Sequence, residues 1–267
     1  MGLSVHTRAW RAGIVACSLA WFGPVGGLRA EMAVPTAATT QALTSAEPFG
    51  HAAFLLSGGG LHDKWLSVQR RLEDEMVQLA LCEGDRDGCV SDAALKFLDL
   101  VDVARTREGR ARLGEINRAL NLAIRPISDV AQHGAPDVWM SPLATLARGG
   151  GDCEDYAIAK YIALQRAGIA ADDLRIVILR DTIHGEYHAV TAARLDGRWL
   201  MLDNRRMAMV ADADVRNMRP MFVIGNHGVM RYVDDALFAD ASNARLVASL
   251  ATNSVAAPAE LALGLPD

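Results

Sequence analysis

Apolar residues recur every three or four positions along "HDKWLSVQRRLEDEMVQLALC", at Trp65, Leu66, Val68, Leu72, Met76, Leu79 and Ala80. That spacing predicts a helix with one buried stripe. "DAALKFLDLVDVAR" and "RARLGEINRALNLAIRPI" repeat the pattern, and Pro126 ends the latter. "DVWMSPLATLARGGG" shows no sustained period and reads as a loop. From Asp152 to Ala167 the helical period returns, with Asp152 as N-cap, Asp155 at the third position and Gly168 as the stop. The period then changes. "LRIVILRD" (174–181) is rich in β-branched residues and predicts a buried strand. "EYHAVTAARL" and "RWLMLDN" predict two more strands, joined by the hairpin dipeptide Asp196-Gly197. Helices first and an antiparallel β-sheet second define an α+β class.

The two ends differ from this middle. Arg8 and Arg11 precede an apolar run, Ala12 to Gly27, and small Ala30 offers a cleavage position. The run is short for a membrane span, so residues 1–30 read as a signal peptide and the protein as periplasmic. An uncleaved anchor and a lipobox-like "IVAC" ending at Cys17 are the alternatives. Residues 31–47 are small and polar, a flexible linker to a domain over 48–238, and 239–267 form an Ala/Leu-rich tail. No internal repeat is present.

Export gives the cysteines a meaning. Losing residues 1–30 removes Cys17 and leaves Cys82, Cys89 and Cys153. In an oxidising compartment "CEGDRDGC" predicts a disulfide between Cys82 and Cys89. Cys153 is then unpaired, either a reactive thiol or an inert one in the core. The net charge of −5, with no polybasic stretch, speaks against a nucleic-acid binder and an anionic-membrane binder.

The hairpin bears on Cys153. A two-residue turn pairs Leu195 with Arg198, sets Val190 opposite Asp203, and puts His188, Val190 and Asp203 on one face. His188 and Asp203 become diagonal neighbours, with Cα atoms roughly 7–8 Å apart, close enough for an imidazole–carboxylate hydrogen bond. A one-residue slip would separate them. A carboxylate that holds one imidazole nitrogen leaves the other to take a proton from a thiol. Cys153, in the first turn of its helix, is the candidate nucleophile, with the positive helix end and a nearby imidazolium favouring thiolate. Ordinary partnership of one histidine and one aspartate on paired strands is the simpler alternative.

"DVWMSPLATLARGGGDCEDYAIAKYIALQRAG", followed by "LRIVILRD", "HAV" and "LDNR", resembles the bacterial transglutaminase-like cysteine peptidases, over roughly residues 50 to 235. The resemblance implies a papain-like, transglutaminase-like core with Cys153 as nucleophile, His188 as base and Asp203 as orienter. It is strongest to the periplasmic branch that releases giant biofilm adhesins. That implies cleavage in the N-terminal retention module of a large adhesin, and sequestration by an inner-membrane cyclic-di-GMP receptor. It further implies Ca²⁺ held by the acids that flank the nucleophile, here Asp152 and Glu154, with Asp155 and Asp137 as further candidates. Unscreened, those acids would raise the thiol's pKa, and a bound cation reverses the sign of that field. Without a cation, Asp152 is a plain N-cap and Glu154 a solvated helix position.

Other features carry less. His184 and His188 have a metal-like spacing but lack the H-E-x-x-H pattern. "EGDRDG" lacks the later ligands of a calcium loop. Trp139 is a candidate for the substrate cleft, the oxyanion site or the core. Transglutaminase-type acyl transfer uses the same triad, and a non-catalytic receptor-binding adaptor is the reading from another class.

Overall fold

The computed structural model describes residues 47–233. The expected signal peptide and tail, the expected linker before Glu47, and residues 234–238 lie outside the described residues.

Among the described residues a 3-10 turn (Pro48–Gly50) and a short strand, β1 (Ala53–Leu55), come first, and the three expected helices follow. They are α1 (Gly60–Gly84), α2 (Asp92–Arg105) and α3 (Gly109–Ala123). Next come β2 (Arg125–Pro126), a single-turn α4 (Asp129–His133), α5 (Pro142–Arg148) and β3 (Gly150–Gly151). The central helix α6 (Cys153–Arg166) leads into β4 (Leu174–Asp181), β5 (Tyr187–Leu195) and β6 (Arg198–Leu202). The last strands are β7 (Val210–Ala211), β8 (Met218–Gly225) and β9 (Gly228–Tyr232).

Two sequence expectations need correcting. The stretch 137–151 is not a continuous loop, because α5 forms within it. Pro142 starts α5 without wasting a donor, Leu143 and Leu146 are buried, and Gly149 stops it in the left-handed region at φ 66°. With only two turns, the apolar spacing was too brief to register as a period. The sheet also extends well beyond the three expected strands. Its order is β1-β9-β8-β4-β5-β6-β7, every pairing antiparallel, while β2 and β3 form a separate parallel pair.

The hairpin has the expected register. Leu195 lies opposite Arg198 and Thr191 opposite Leu202. Asp196 and Gly197 both have positive φ, the requirement of a two-residue turn that matches strand twist.

Helix α6 is buried on every side from Asp155 to Leu164, so it sits in the core rather than on it. The sheet face formed by Ile176, Ala189 and Leu202 packs on one side of the main core, and Phe97, Ile116 and Leu120 of α2 and α3 pack from the other. A second cluster, including Val177, Val190, Met201 and Tyr232, covers the opposite sheet face.

Glu47, the last residue of the expected linker, is buried in the domain. Its carboxylate accepts from Arg175 Nε at 2.7 Å and Nη2 at 2.9 Å, and the guanidinium lies over Trp199. A bidentate pair fits a guanidinium better than an ammonium, and deleting one partner would strand the other's charge in the core.

Cys82 and Cys89 are joined by a disulfide between the end of α1 and the start of α2. Closing so short a loop restricts the unfolded chain, a contribution of about 2 kcal/mol. A Cys82→Ala, Cys89→Ala double variant is expected to lose about that much in urea denaturation. An unchanged midpoint, or two free thiols on non-reducing peptide mapping, would refute the assignment.

Candidate active site

The glycine run before α6 is a requirement of close packing. A Cβ on Gly151 would come within 2.5 Å of the Asp155 carboxylate. The run is pinned to the strand after α3, with the Arg125 N–H donating to Gly149 C=O and the Ile127 N–H to Gly151 C=O. Asp155 then closes the helix start. It is fully buried, and its carboxylate accepts the Asp152 N–H at 3.3 Å and the Met140 N–H at 2.7 Å. Cys153 is the first residue of α6, with its thiol half-buried at the positive end of the helix.

The hairpin brings its two polar residues together. His188 Nε2 and Asp203 Oδ1 are 2.9 Å apart, and Oδ1 also accepts the Arg205 N–H at 2.9 Å. His188 is almost entirely buried, and its Nδ1 has no hydrogen-bond partner among the described residues. The next residue bears on the cysteine, since the Ala189 backbone N–H favours the Cys153 thiolate. Burial opposes ionisation of Asp203, yet the His188 bond and charge, the Arg205 N–H and the Lys160 charge together hold its carboxyl below the usual range.

The opposite holds around the thiol. Burial pushes Cys153 well above the ordinary thiol range, and the charge and hydrogen bonding of Glu154 push it further. The thiol donates to Glu154 Oε2 at 2.9 Å. Beside it, one oxygen each of Asp129, Asp152 and Asp155 lie within 4.8 Å of one another. Burial, then repulsion from Glu154, Asp155 and Asp129, raises Asp152 to about 9. Burial and Asp129 bring Asp155 to about 7, even though it accepts two backbone N–H groups. Asp152 Oδ1 is buried with no partner among the described residues. Crowded oxygens with one unpaired are what a hard divalent cation satisfies, because Ca²⁺ takes oxygen ligands at 2.3–2.6 Å in flexible geometry. The residues therefore fit a cation of this kind.

The group differs in membership from the expected one. Asp152 belongs to it, whereas Glu154 lies against the thiol and Asp152, outside the triplet. Asp155 joins it, and Asp137 instead pairs with Lys64 and accepts the Trp139 indole N–H. Asp129 was not legible as a site residue. It lies in a separate one-turn helix, held by the Val138 N–H, and only the fold sets it beside Asp152. Trp139 is a core residue, and its N–H is engaged by Asp137 rather than turned to a cleft. His184 is exposed and pairs with Asp181, away from any metal-like partnership with His188.

Comparison with known proteins gives this geometry a family. A family described as bacterial transglutaminase-like cysteine proteinase BTLCP matches residues 74–216, more than half of the chain. Among solved structures, Legionella pneumophila LapG is 23% identical, with 58% of this chain and 86% of that one covered, at a TM-score of 0.49. Its calcium-bound form gives the same values. A putative cysteine protease from Cytophaga hutchinsonii is 19% identical, covering 52% of this chain and 49% of that one, with a TM-score of 0.32. Likenesses this loose add no argument to the family match. None of the curated proteins matches the chain. The α+β core sets a cysteine-bearing helix against an antiparallel sheet, and the chain belongs to the bacterial transglutaminase-like cysteine proteinases.

Proposed function

We propose that this protein is a calcium-dependent periplasmic cysteine endopeptidase that cuts the N-terminal retention module of a large surface adhesin, under the control of an inner-membrane cyclic-di-GMP receptor. The observation that carries the catalytic part is the state of His188. One nitrogen is held by Asp203, while the other is buried and unpaired, and the backbone N–H of the next residue, Ala189, favours the Cys153 thiolate.

In that arrangement Asp203 fixes the tautomer, and Nδ1 accepts the thiol proton. The thiolate attacks the scissile carbonyl carbon and forms the S–C bond. The imidazolium protonates the departing amine as the C–N bond breaks, leaving a thioester. His188 then takes a proton from water, whose oxygen attacks the thioester carbon; the C–S bond breaks, the carboxylic acid leaves, and the imidazolium returns its proton to the Cys153 sulfur. The Cys153 backbone N–H, at the start of its helix, is the candidate donor to the developing oxyanion.

Asp129, Asp152 and Asp155 would hold the cation, with Glu154 as the adjoining candidate. Bound Ca²⁺ would supply positive charge that lets these carboxylates ionise together and offsets their field at the thiol. The adhesin and receptor assignments are supported by the "GDCEDYAIAKY", "HAV" and "LDNR" resemblance. The periplasmic assignment is supported by the pattern of residues 1–30 and by the disulfide.

Calcium titration calorimetry on a Cys153→Ala background tests the cation site. Asp152→Asn and Asp129→Asn are each expected to weaken binding at least tenfold, and Glu154→Gln less so. Equal, small effects of all three would remove the triplet as the site. The function itself is tested by incubating the purified protein with the N-terminal fragment of a giant adhesin from the same organism. One specific cut is expected, lost in Cys153→Ala and with a calcium-selective chelator, and restored by added Ca²⁺. A cut that ignores the chelator would keep the peptidase and discard the calcium requirement. Absence of any cut would overturn the adhesin assignment.

A further inference from the structure

The strand that delivers Asp203 stops one residue short of it. β6 ends at Leu202, and its last pair with β5 is Leu202 with Thr191. From there the chain turns back on itself, Asp203 C=O accepting from the Arg206 N–H at 3.3 Å. Without a strand alongside, the carbonyls of this segment need other donors. Two helices supply them. Asn121 Nδ2 of α3 donates to the carbonyls of Asp203 and Arg206, both at 3.0 Å. Asn117 Nδ2, one turn earlier, donates to Arg206 at 3.1 Å and Met207 at 3.0 Å. From α6, Lys160 Nζ donates to Leu202 C=O at 3.2 Å.

Each donor occupies a place that is costly for it. Asn117 and Lys160 are fully buried, and the Oδ1 atoms of both asparagines are buried with no partner among the described residues. Burial brings the Lys160 ammonium down to about 7, against the pull of the Asp203 charge. Stability alone is a poor reason for these groups, since each asparagine brings a buried oxygen without a partner among the described residues and the lysine a buried charge. What the two amides and the ammonium have in common is their target, the backbone on either side of Asp203.

We propose that Asn117, Asn121 and Lys160 are positioning residues that hold the Asp203 carboxylate on His188 Nε2. This rests on the reading of Asp203 as orienter of the base. They replace the missing strand partner and transmit the rigidity of α3 and α6 to one side chain. The need for such aim is general, since a misplacement of about 1 Å in a catalytic constellation can cost about 10²-fold in rate.

N121L tests this cleanly, being close in shape while removing both donated bonds and the unpaired oxygen. K160M does the same for the ammonium. Three quantities are measured on the mature protein with Ca²⁺ present: the thermal unfolding midpoint, the rate of Cys153 alkylation by iodoacetamide, and kcat and KM on the cleavable fragment. In each variant the carbonyls lose a donor, so the midpoint is expected to fall, by no more than about 5 °C, while alkylation slows at least fivefold. On the fragment, kcat is expected to fall tenfold or more and KM to stay within twofold. Should N121L lose cooperative unfolding, the smaller N121A carries the same comparison. A native protein alkylated no faster than free cysteine would overturn the active-site reading beneath the proposal. Fast alkylation of the native protein, matched by every variant, would overturn the positioning role alone.

Discussion

The buried carboxylate of Asp155 is the constraint on which the site depends. It accepts N–H groups from Met140 and Asp152, so it joins the segment after α4 to the first turn of α6. Hydrogen bonds to a charged group contribute about 1.5–3 kcal/mol each, more than neutral ones, which favours keeping this carboxylate ionised. Burial works against that, and so does Asp129 nearby. The carboxylate is also why Gly151 carries no side chain, since a Cβ there would collide with it. Sequence, backbone path and local charge are therefore set by one group, two residues from the thiol.

The carboxylates of the site divide by their partners. Asp203 is half-buried but faces an imidazole, a backbone N–H and a lysine charge, and it stays acidic. Asp152 is half-buried too, faces three other carboxylates, and is driven toward the protonated form. Burial alone does not decide the outcome; the sign of the nearest charges does. One end of the site thus holds a carboxylate stabilised beside the His188 imidazole, and the other a group of carboxylates that repel one another.

How much of this could be read from the chain follows from how far each feature reaches in sequence. The His188–Asp203 contact was legible because a two-residue Asp-Gly turn permits one register, and a register fixes side-chain faces. The start of α6 was legible because its cap residues and stop lie in the sequence beside it. Asp129 was not, as it meets Asp152 only after α5 and the two-glycine strand β3 have folded between them. Helix α5 was hidden by its brevity and its glycine-rich exit. The strands that extend the sheet past β4 were hidden in another way. β8 contains Pro220 and shifts register beside it, and β1 is three residues long, so neither shows a clean alternation. Glu47 looked like linker because its partner, Arg175, lies 128 positions away.

β1 and β9 lie side by side at one edge of the sheet, and the Val233 N–H donates to Ala52 C=O. The domain therefore begins and ends at the same place. From β9 to β5 the sheet crosses β8 and β4, about 14 Å at the usual strand spacing. A short bridge between residues near 47 and 233 would span little distance and leave the hairpin of His188 and Asp203 untouched. The chain could then be reopened in an exposed turn elsewhere, giving a circularly permuted protein whose new ends lie wherever a label or surface attachment is wanted.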